Sequence, residues 1–275
     1  MRRIAFALVT LLSPVAAFAQ GVLVAPHAVF IDPRTRSGWV QLHNPGAEPA
    51  EVSIGALFGY PVTDSLGNLS LRTIDTTDAT YPSAVSWLQI FPKRVVVPAQ
   101  SRQTIRIMVL PPAGTADGEY WARLTISAKA GQIPVAGVDT GAAISVGLSL
   151  EVRTIIPLIY RKGQTSTGVT ASSLRATTSA DSVMVRVRLV RKGPAAFLGS
   201  VRGTLVNAAG TKVGGFDIPI SVYYDIDPRF AIARQGLPPG TYRLFLEVAS
   251  SRDDIAPEQI LPIATVRDSL VIRLK

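Results

Sequence analysis

Apolar residues in this chain recur at every second position, run after run, and helical spacing is nearly absent. A strand points successive side chains to opposite faces, so such runs mark strands with one buried face. Val40 and Leu42 alternate with Trp39 and Gln41 ahead of the turn Asn44-Pro45-Gly46, and Val52 and Ile54 follow. Ile105, Ile107 and Val109 alternate with Thr104, Arg106 and Met108, and Leu124 and Ile126 with Arg123, Thr125 and Ser127. Val146, Leu148, Leu150 and Val152 form another such row, as do Val183, Val185, Val187 and Leu189, and then Leu244 and Leu246. Gly, Pro, Asn and Asp bound these runs. Many short strands with no helices between them predict an all-β sandwich or barrel.

An internal echo selects the sandwich. Gly118-Glu119-Tyr120 leads to Leu124, and Gly240-Thr241-Tyr242 leads to Leu246; each follows a Leu-Pro-Pro, at Leu110-Pro111-Pro112 and Leu237-Pro238-Pro239. A tyrosine entering a late strand from a turn fits the tyrosine corner of immunoglobulin-like sandwiches, where the phenol bonds back to the backbone. Two copies predict two sandwiches of similar size. Their boundary falls where Arg161 to Val169 replaces alternation with Gly, Ser, Thr and Lys. A second irregular stretch, Ala128 to Ala143, reads as a long loop inside the first sandwich.

The N-terminus has a different grammar. Arg2 and Arg3 precede a short apolar run, Ile4 to Leu12, and Ala17-Phe18-Ala19 is a small-x-small cleavage site. That is the pattern of a secretory signal peptide, too short and too interrupted, at Pro14, for a membrane span. The expected organisation is a signal peptide over 1–19, a first sandwich over 20–161, a linker over 162–168 and a second sandwich over 169–275. The mature chain is expected to be exported and soluble outside the cytoplasm.

Composition narrows the chemistry. The chain has no cysteine and two histidines, His27 and His43, which excludes thiol chemistry and argues against metals and cofactors. With 47% apolar and 17% charged residues, it has enough apolar material for packed cores. The formal charge of +9 is spread over short pairs such as Arg34/Arg36, Lys93/Arg94, Arg102/Arg106, Arg161/Lys162, Arg186/Arg188 and Arg191/Lys192. These read as a solvated basic face or as a docking surface for an acidic partner or membrane. Nucleic acid is not an expected partner, because no basic cluster is interleaved with stacking aromatics. No Gly-x-Ser-x-Gly elbow, phosphate loop or His-Glu-x-x-His occurs, and the pairs Asp253/Asp254 and Asp225/Asp227 read as turns. The expectation is a protein that is not an enzyme.

Four segments carry a family likeness. They are Val24 to Phe30 with Val40 to Gly46; Trp87 to Val95 with Gln103 to Ile107; Gly118 to Leu124; and Leu148 to Arg161. In this order and spacing, residues 21–162 resemble the N-terminal domain of PapD-like periplasmic chaperones of pilus assembly. The second half resembles that family only in being immunoglobulin-like. The resemblance implies a chaperone that caps secreted pilin-like subunits lacking one strand, with an outer-membrane usher as a further partner. A donated edge strand would complete the subunit's sheet while alternate side chains fill its groove. Val146, Leu148, Leu150 and Val152 are the candidate donor residues, although the same row also reads as an ordinary strand facing its own core. Self-association through an exposed edge is a further expectation.

The family also holds a subunit carboxylate in the interdomain cleft with an arginine and a lysine. Those positions fall on His27 and Pro157 here. Histidine is largely neutral near pH 7, and proline donates nothing. Arg153, Arg161 and Arg34 are the nearby cations that this reading leaves as substitutes. The second function open to the sequence is an exported immunoglobulin-like structural or adhesion module of a surface assembly, without chaperone activity.

Overall fold

The computed structural model describes residues 21–78, 80–129 and 150–274, together with the strand backbone at 133–134 and 147–148. Residues 1–20, including the expected signal peptide and its cleavage site, lie outside the described residues. The chain folds into two immunoglobulin-like β-sandwich domains. Among the described residues there is no α-helix, only two 3-10 turns, at Val85–Trp87 and Pro257–Gln259. None of the described helices is long and apolar enough to cross a membrane.

The first sandwich begins with β1 (Leu23–Ala25), β2 (Val29–Ile31), β3 (Ser37–His43), β4 (Ala50–Thr63), β5 (Leu69–Ile74) and β6 (Leu88–Phe91). It continues through β7 (Arg94–Val97), β8 (Arg102–Val109), β9 (Gly118–Lys129), β10 (Ile133–Pro134), β11 (Gly147–Leu148) and β12 (Glu151–Lys162). One sheet has the order β1-β3-β8-β6; the facing sheet runs β2-β12-β9-β4-β5, with β7 also on β4. The alternation read from sequence sets the core. Val40, Leu42, Ile105, Ile107, Val109, Leu124 and Ile126 point inward and are buried, while their neighbours in sequence face out.

Asn44 closes the turn after β3. Its buried amide donates to Val97 O (3.0 Å) and Glu48 O (2.8 Å), and its Oδ1 accepts from the Gly46 N–H (2.9 Å). One asparagine thus satisfies three backbone groups that the turn would otherwise strand.

The second sandwich comprises β13 (Gly168–Thr178), β14 (Ser182–Lys192), β15 (Phe197–Val206), β16 (Lys212–Val222), β17 (Asp225–Ile226), β18 (Arg229–Ala233), β19 (Gly240–Ala249) and β20 (Val266–Leu274). Here β13-β14-β17, with β18 also on β14, faces β16-β15-β19-β20. Val183, Val185, Val187 and Leu189 stand fully buried opposite Val201, Leu205, Leu244 and Leu246.

Both tyrosine corners form. The Tyr120 hydroxyl donates to Ala116 O (2.9 Å) and the Tyr242 hydroxyl to Pro238 O (2.7 Å), each four residues back. Tyr242 is buried and Tyr120 only partly so. Removing the hydroxyl strands a carbonyl, which costs more where water cannot replace the donor. Tyr242→Phe is therefore expected to cost about 1–2 kcal/mol and Tyr120→Phe about 0.5 kcal/mol. Thermal unfolding of the two variants checks the ranking, and equal losses would contradict it.

The long β4 and β5 project as a hairpin toward the second sandwich. Its turn is tied by Asp64, whose carboxylate accepts from Asn68 N (2.8 Å) and Asn68 Nδ2 (2.7 Å). These bonds hold the Asp64 carboxyl below the usual carboxylate range, the Asn68 side chain contributing most. Gly67 has a positive φ of 84°, and a Cβ there would lie 3.0 Å from Asp227 O. Three bonds fasten the hairpin: Asp227 N to Thr63 Oγ1 (2.8 Å), Arg186 Nη1 to Ser65 O (2.8 Å) and Arg229 N to Gly67 O (3.0 Å).

Candidate functional site

Of the candidate donor residues, Val152 lies on β12. Strand β12 pairs antiparallel with β9 along its whole length, from Glu151–Lys129 to Lys162–Gly118. On its other side, β2 pairs in parallel with Leu158, Ile159 and Tyr160 only. Among the described residues, the backbone of 151–157 therefore has one strand neighbour and one free edge. Arg153 and Ile155 face outward there, with Ile155 38% exposed, while Ile156 and Leu158 face the core. Val152 is half-buried, and a Cβ built on Gly21 would touch its Cγ1 at 4.0 Å.

Leu148 pairs with Ile133 in the two-residue ladder of β10 and β11, and Leu150 lies outside any strand at 44% exposure. The pairing also shifts by one residue between Leu148–Ile133 and Glu151–Lys129. Val146 lies outside the described residues. Of the stretch read as a loop from Ala128, the first two residues are strand: Ala128 and Lys129 pair with Val152 and Glu151. Their burial alternates with that of the rest of β9, which carries the strand past the expected boundary.

The residues matching the family's carboxylate anchors stand near one another but form no clamp. His27 is exposed in the bend between β1 and β2, not in a strand, after the cis peptide Ala25–Pro26. The parallel register puts it two residues before Val29, the partner of Leu158. Across the junction is Asp254, whose carboxyl is held below its usual range mainly by Arg252, with His27 a lesser influence. Pro157 sits on β12 directly opposite Arg123 of β9. The substitutes proposed from sequence are engaged or distant. Arg34 is exposed in the β2–β3 turn, and Arg153 donates to Ser127 Oγ (3.0 Å) on the open face.

Arg161 belongs to a buried junction between the sandwiches. It pairs with Glu119 (Nε to Oε2, 2.7 Å), and its Nη1 donates to Gln259 O in the second domain. Glu119, only 2% exposed, also accepts from Trp121 Nε1 (2.7 Å) and from the Ala196 N–H (2.9 Å). Around it, Phe58, Tyr60, Trp121 and Ile159 pack against Ala196, Leu198, Tyr223 and Ile255. Trp121 meets Tyr223 edge-on at 4.7 Å, and burial pushes the Tyr223 phenol pKa up. Arg123, 6% exposed, lies over the Tyr223 ring at 4.7 Å and donates from Nε to Gly59 O (2.9 Å), leaving Nη2 buried without a partner.

Sequence reasoning missed Glu119 and Arg123. The available signal was the outward face of β9: Glu119, Trp121 and Arg123 alternate with the core residues Tyr120, Ala122 and Leu124. Large and charged side chains in one row suit a face covered by something else. Beside this junction, an open groove of about 330 Å³ runs between Pro61, Leu69 and Leu71 on one side and Pro219, Ile220 and Arg252 on the other. No group of three or more potential metal ligands occurs among the described residues.

No protein-family model matches the chain, and no curated protein matches it. Solved structures do. A chain of the CsuC–CsuE chaperone–tip adhesion subunit pre-assembly complex from archaic chaperone-usher Csu pili of Acinetobacter baumannii is 13% identical (TM-score 0.46), the match covering 90% of this chain and 97% of that one. The E. coli chaperone DraB is 13% identical over 93% of this chain and 97% of its own, with a TM-score of 0.43. The CupB2 chaperone of Pseudomonas aeruginosa is 13% identical over 92% of this chain and 100% of its own, with a TM-score of 0.42.

Proposed function

We propose that this chain is a periplasmic chaperone that caps secreted pilus- or fimbrial-type subunits by lending them an edge strand. The observation that carries the reading is the one-sided pairing of β12: residues 151–157 offer backbone donors and acceptors that no described strand uses. A subunit that lacks one strand exposes the complementary need, an apolar groove with unpaired backbone on both rims. Joining the two satisfies both sets of groups and hides surface that drives aggregation. Val146, Leu148, Leu150 and Val152 are the side chains assigned to the groove. Release of residues 1–19 on export and hand-over of the subunit to an outer-membrane usher belong to the same reading.

The reading rests on backbone donation and not on a carboxylate clamp. Pro157 offers no charge, Arg161 is neutralised by Glu119, and Arg123 is sealed beneath Tyr223. Co-expression of the mature chain with a strand-deficient pilin-type subunit in a bacterial periplasm is expected to yield a stable one-to-one complex. The double substitution Leu148→Asp, Leu150→Asp is expected to abolish that complex while leaving the thermal midpoint of the chain within about 2 °C, as follows if this row serves the subunit's groove and not the chain's own core. Undiminished complex would overturn strand donation. Unfolding of the variant would assign the row to the chain's own core.

A further inference from the structure

The outer face of the β1-β3-β8-β6 sheet carries a second feature that strand donation does not use. Outward side chains on β3 are Ser37, Trp39, Gln41 and His43; on β8 they are Arg102, Thr104, Arg106 and Met108; on β6, Gln89 and Phe91. The register sets Trp39 opposite Arg106, and Arg106 opposite Phe91. Directly opposed residues on neighbouring strands have Cβ atoms about 4.5–5.5 Å apart. One row across the sheet therefore reads aromatic, guanidinium, aromatic. Trp39 is 57% exposed and Phe91 78%, and Met108 and Leu23 add further exposed apolar surface on the same face.

The charge on this face is uncompensated. None of its outward residues is acidic, and Arg36 and Lys93, next to β3 and β6 in sequence, add positive charge. Among the described residues, none of Arg36, Lys93, Arg94, Arg102 or Arg106 has a carboxylate within ion-pair distance. Elsewhere in the molecule Arg175, Arg186, Arg188, Arg202, Arg252 and Arg267 each have a carboxylate partner. A sheet face that met only water would have no use for Trp and Phe beside unpaired arginine. Trp, Phe, Met and Arg together are the residues enriched where proteins bind one another.

We infer that this face is a docking surface for an acidic segment of a partner polypeptide that carries aromatic or branched apolar side chains among its carboxylates. Carboxylates would pair with Arg102 and Arg106, whose planar forks suit them, while apolar side chains cover Trp39 and Phe91. Two observations favour a polypeptide over an anionic bilayer. Arg106 stands opposite an aromatic residue on each neighbouring strand, an arrangement for one bidentate group and not for a diffuse layer of charge. In addition, β6 pairs only with β8 among the described residues, so a free backbone edge lies next to Phe91. A peptide can bond along such an edge and a lipid cannot.

The test is selection of a phage-displayed library of random dodecapeptides on the immobilised mature protein, followed by affinity measurement with the synthetic winners. Enriched sequences are expected to combine Asp or Glu with Phe, Trp or Leu. Their binding should weaken at least tenfold in Arg106→Glu and in the double variant Trp39→Ser, Phe91→Ser. It should persist in Leu148→Asp, Leu150→Asp, which separates this face from the β12 edge. Circular dichroism and the thermal midpoint of each variant establish that the fold is intact. Winners without acidic bias, or winners that bind the face variants as well as the parent, would overturn the inference. So would failure to enrich any sequence, with or without co-sedimentation on phosphatidylglycerol vesicles; co-sedimentation would reassign the face to a membrane surface.

Discussion

Replacing Glu119 with alanine is expected to cost about 3–5 kcal/mol, the typical loss when one member of a buried ion pair is removed. The carboxylate is almost wholly inaccessible and accepts from three donors: Arg161 Nε, Trp121 Nε1 and the Ala196 N–H. Without it, Arg161 keeps its charge in a buried site where Nη2 already lacks a partner. The Ala196 N–H belongs to the second sandwich, so part of the loss falls on the coupling between the domains. Urea unfolding followed by tryptophan fluorescence should show a lower midpoint and a broadened or divided transition. Tryptophan reports chiefly on the first sandwich and the junction, since Trp39, Trp87 and Trp121 all lie there. Glu119→Gln keeps an acceptor and should lose less. A loss below about 1 kcal/mol for the alanine variant would mean that the junction is not held through this group. High salt should change the result little, because a buried pair is poorly screened.

Trp121→Ala is expected to cost a comparable 3–5 kcal/mol. The indole is buried at the centre of the junction, stacked on Phe58 at 6.5 Å and meeting Tyr223 and Tyr224 edge-on at 4.7 and 5.7 Å. Its loss opens a cavity whose walls come from both sandwiches, so neither can close it alone. Because Trp121 and Glu119 share a hydrogen bond, the two losses should not add. The double variant is expected to fall short of their sum by about 0.5–3 kcal/mol, as measured in a double-mutant cycle. Additivity within experimental error would show that the two side chains act independently.

The strands and the two tyrosine corners could be read from sequence because each rests on local spacing. Period-2 alternation decides which side chains meet, and Val183 to Leu189 could be placed in a core without knowing the strands opposite. Tyr120 and Tyr242 find their acceptors only four residues away. The junction could not be read this way. Glu119, Arg123 and Arg161 sit on faces that would be solvent in an isolated sandwich, and only the approach of Tyr223 and Ala196, 77 to 100 residues later, buries them. The donor row shows the opposite limit. Val146, Leu148, Leu150 and Val152 keep perfect period in sequence, yet a period does not say which strand edge stays open; in β12 that is set by the pairing with β9 and β2. His27 follows the apolar residues of β1, yet it lies outside any strand because the backbone bends immediately after Pro26.

The β4–β5 hairpin reaches across from one sandwich and is stitched by its tip to the β17–β18 corner of the other. Together with the greasy, arginine-lined seam it makes two separate attachments, and two attachments fix an angle where one would leave a pivot. A guest meeting such an elbow finds its shape already set. No orientational freedom of the halves is then lost on contact, so the entropic cost of association falls on the guest.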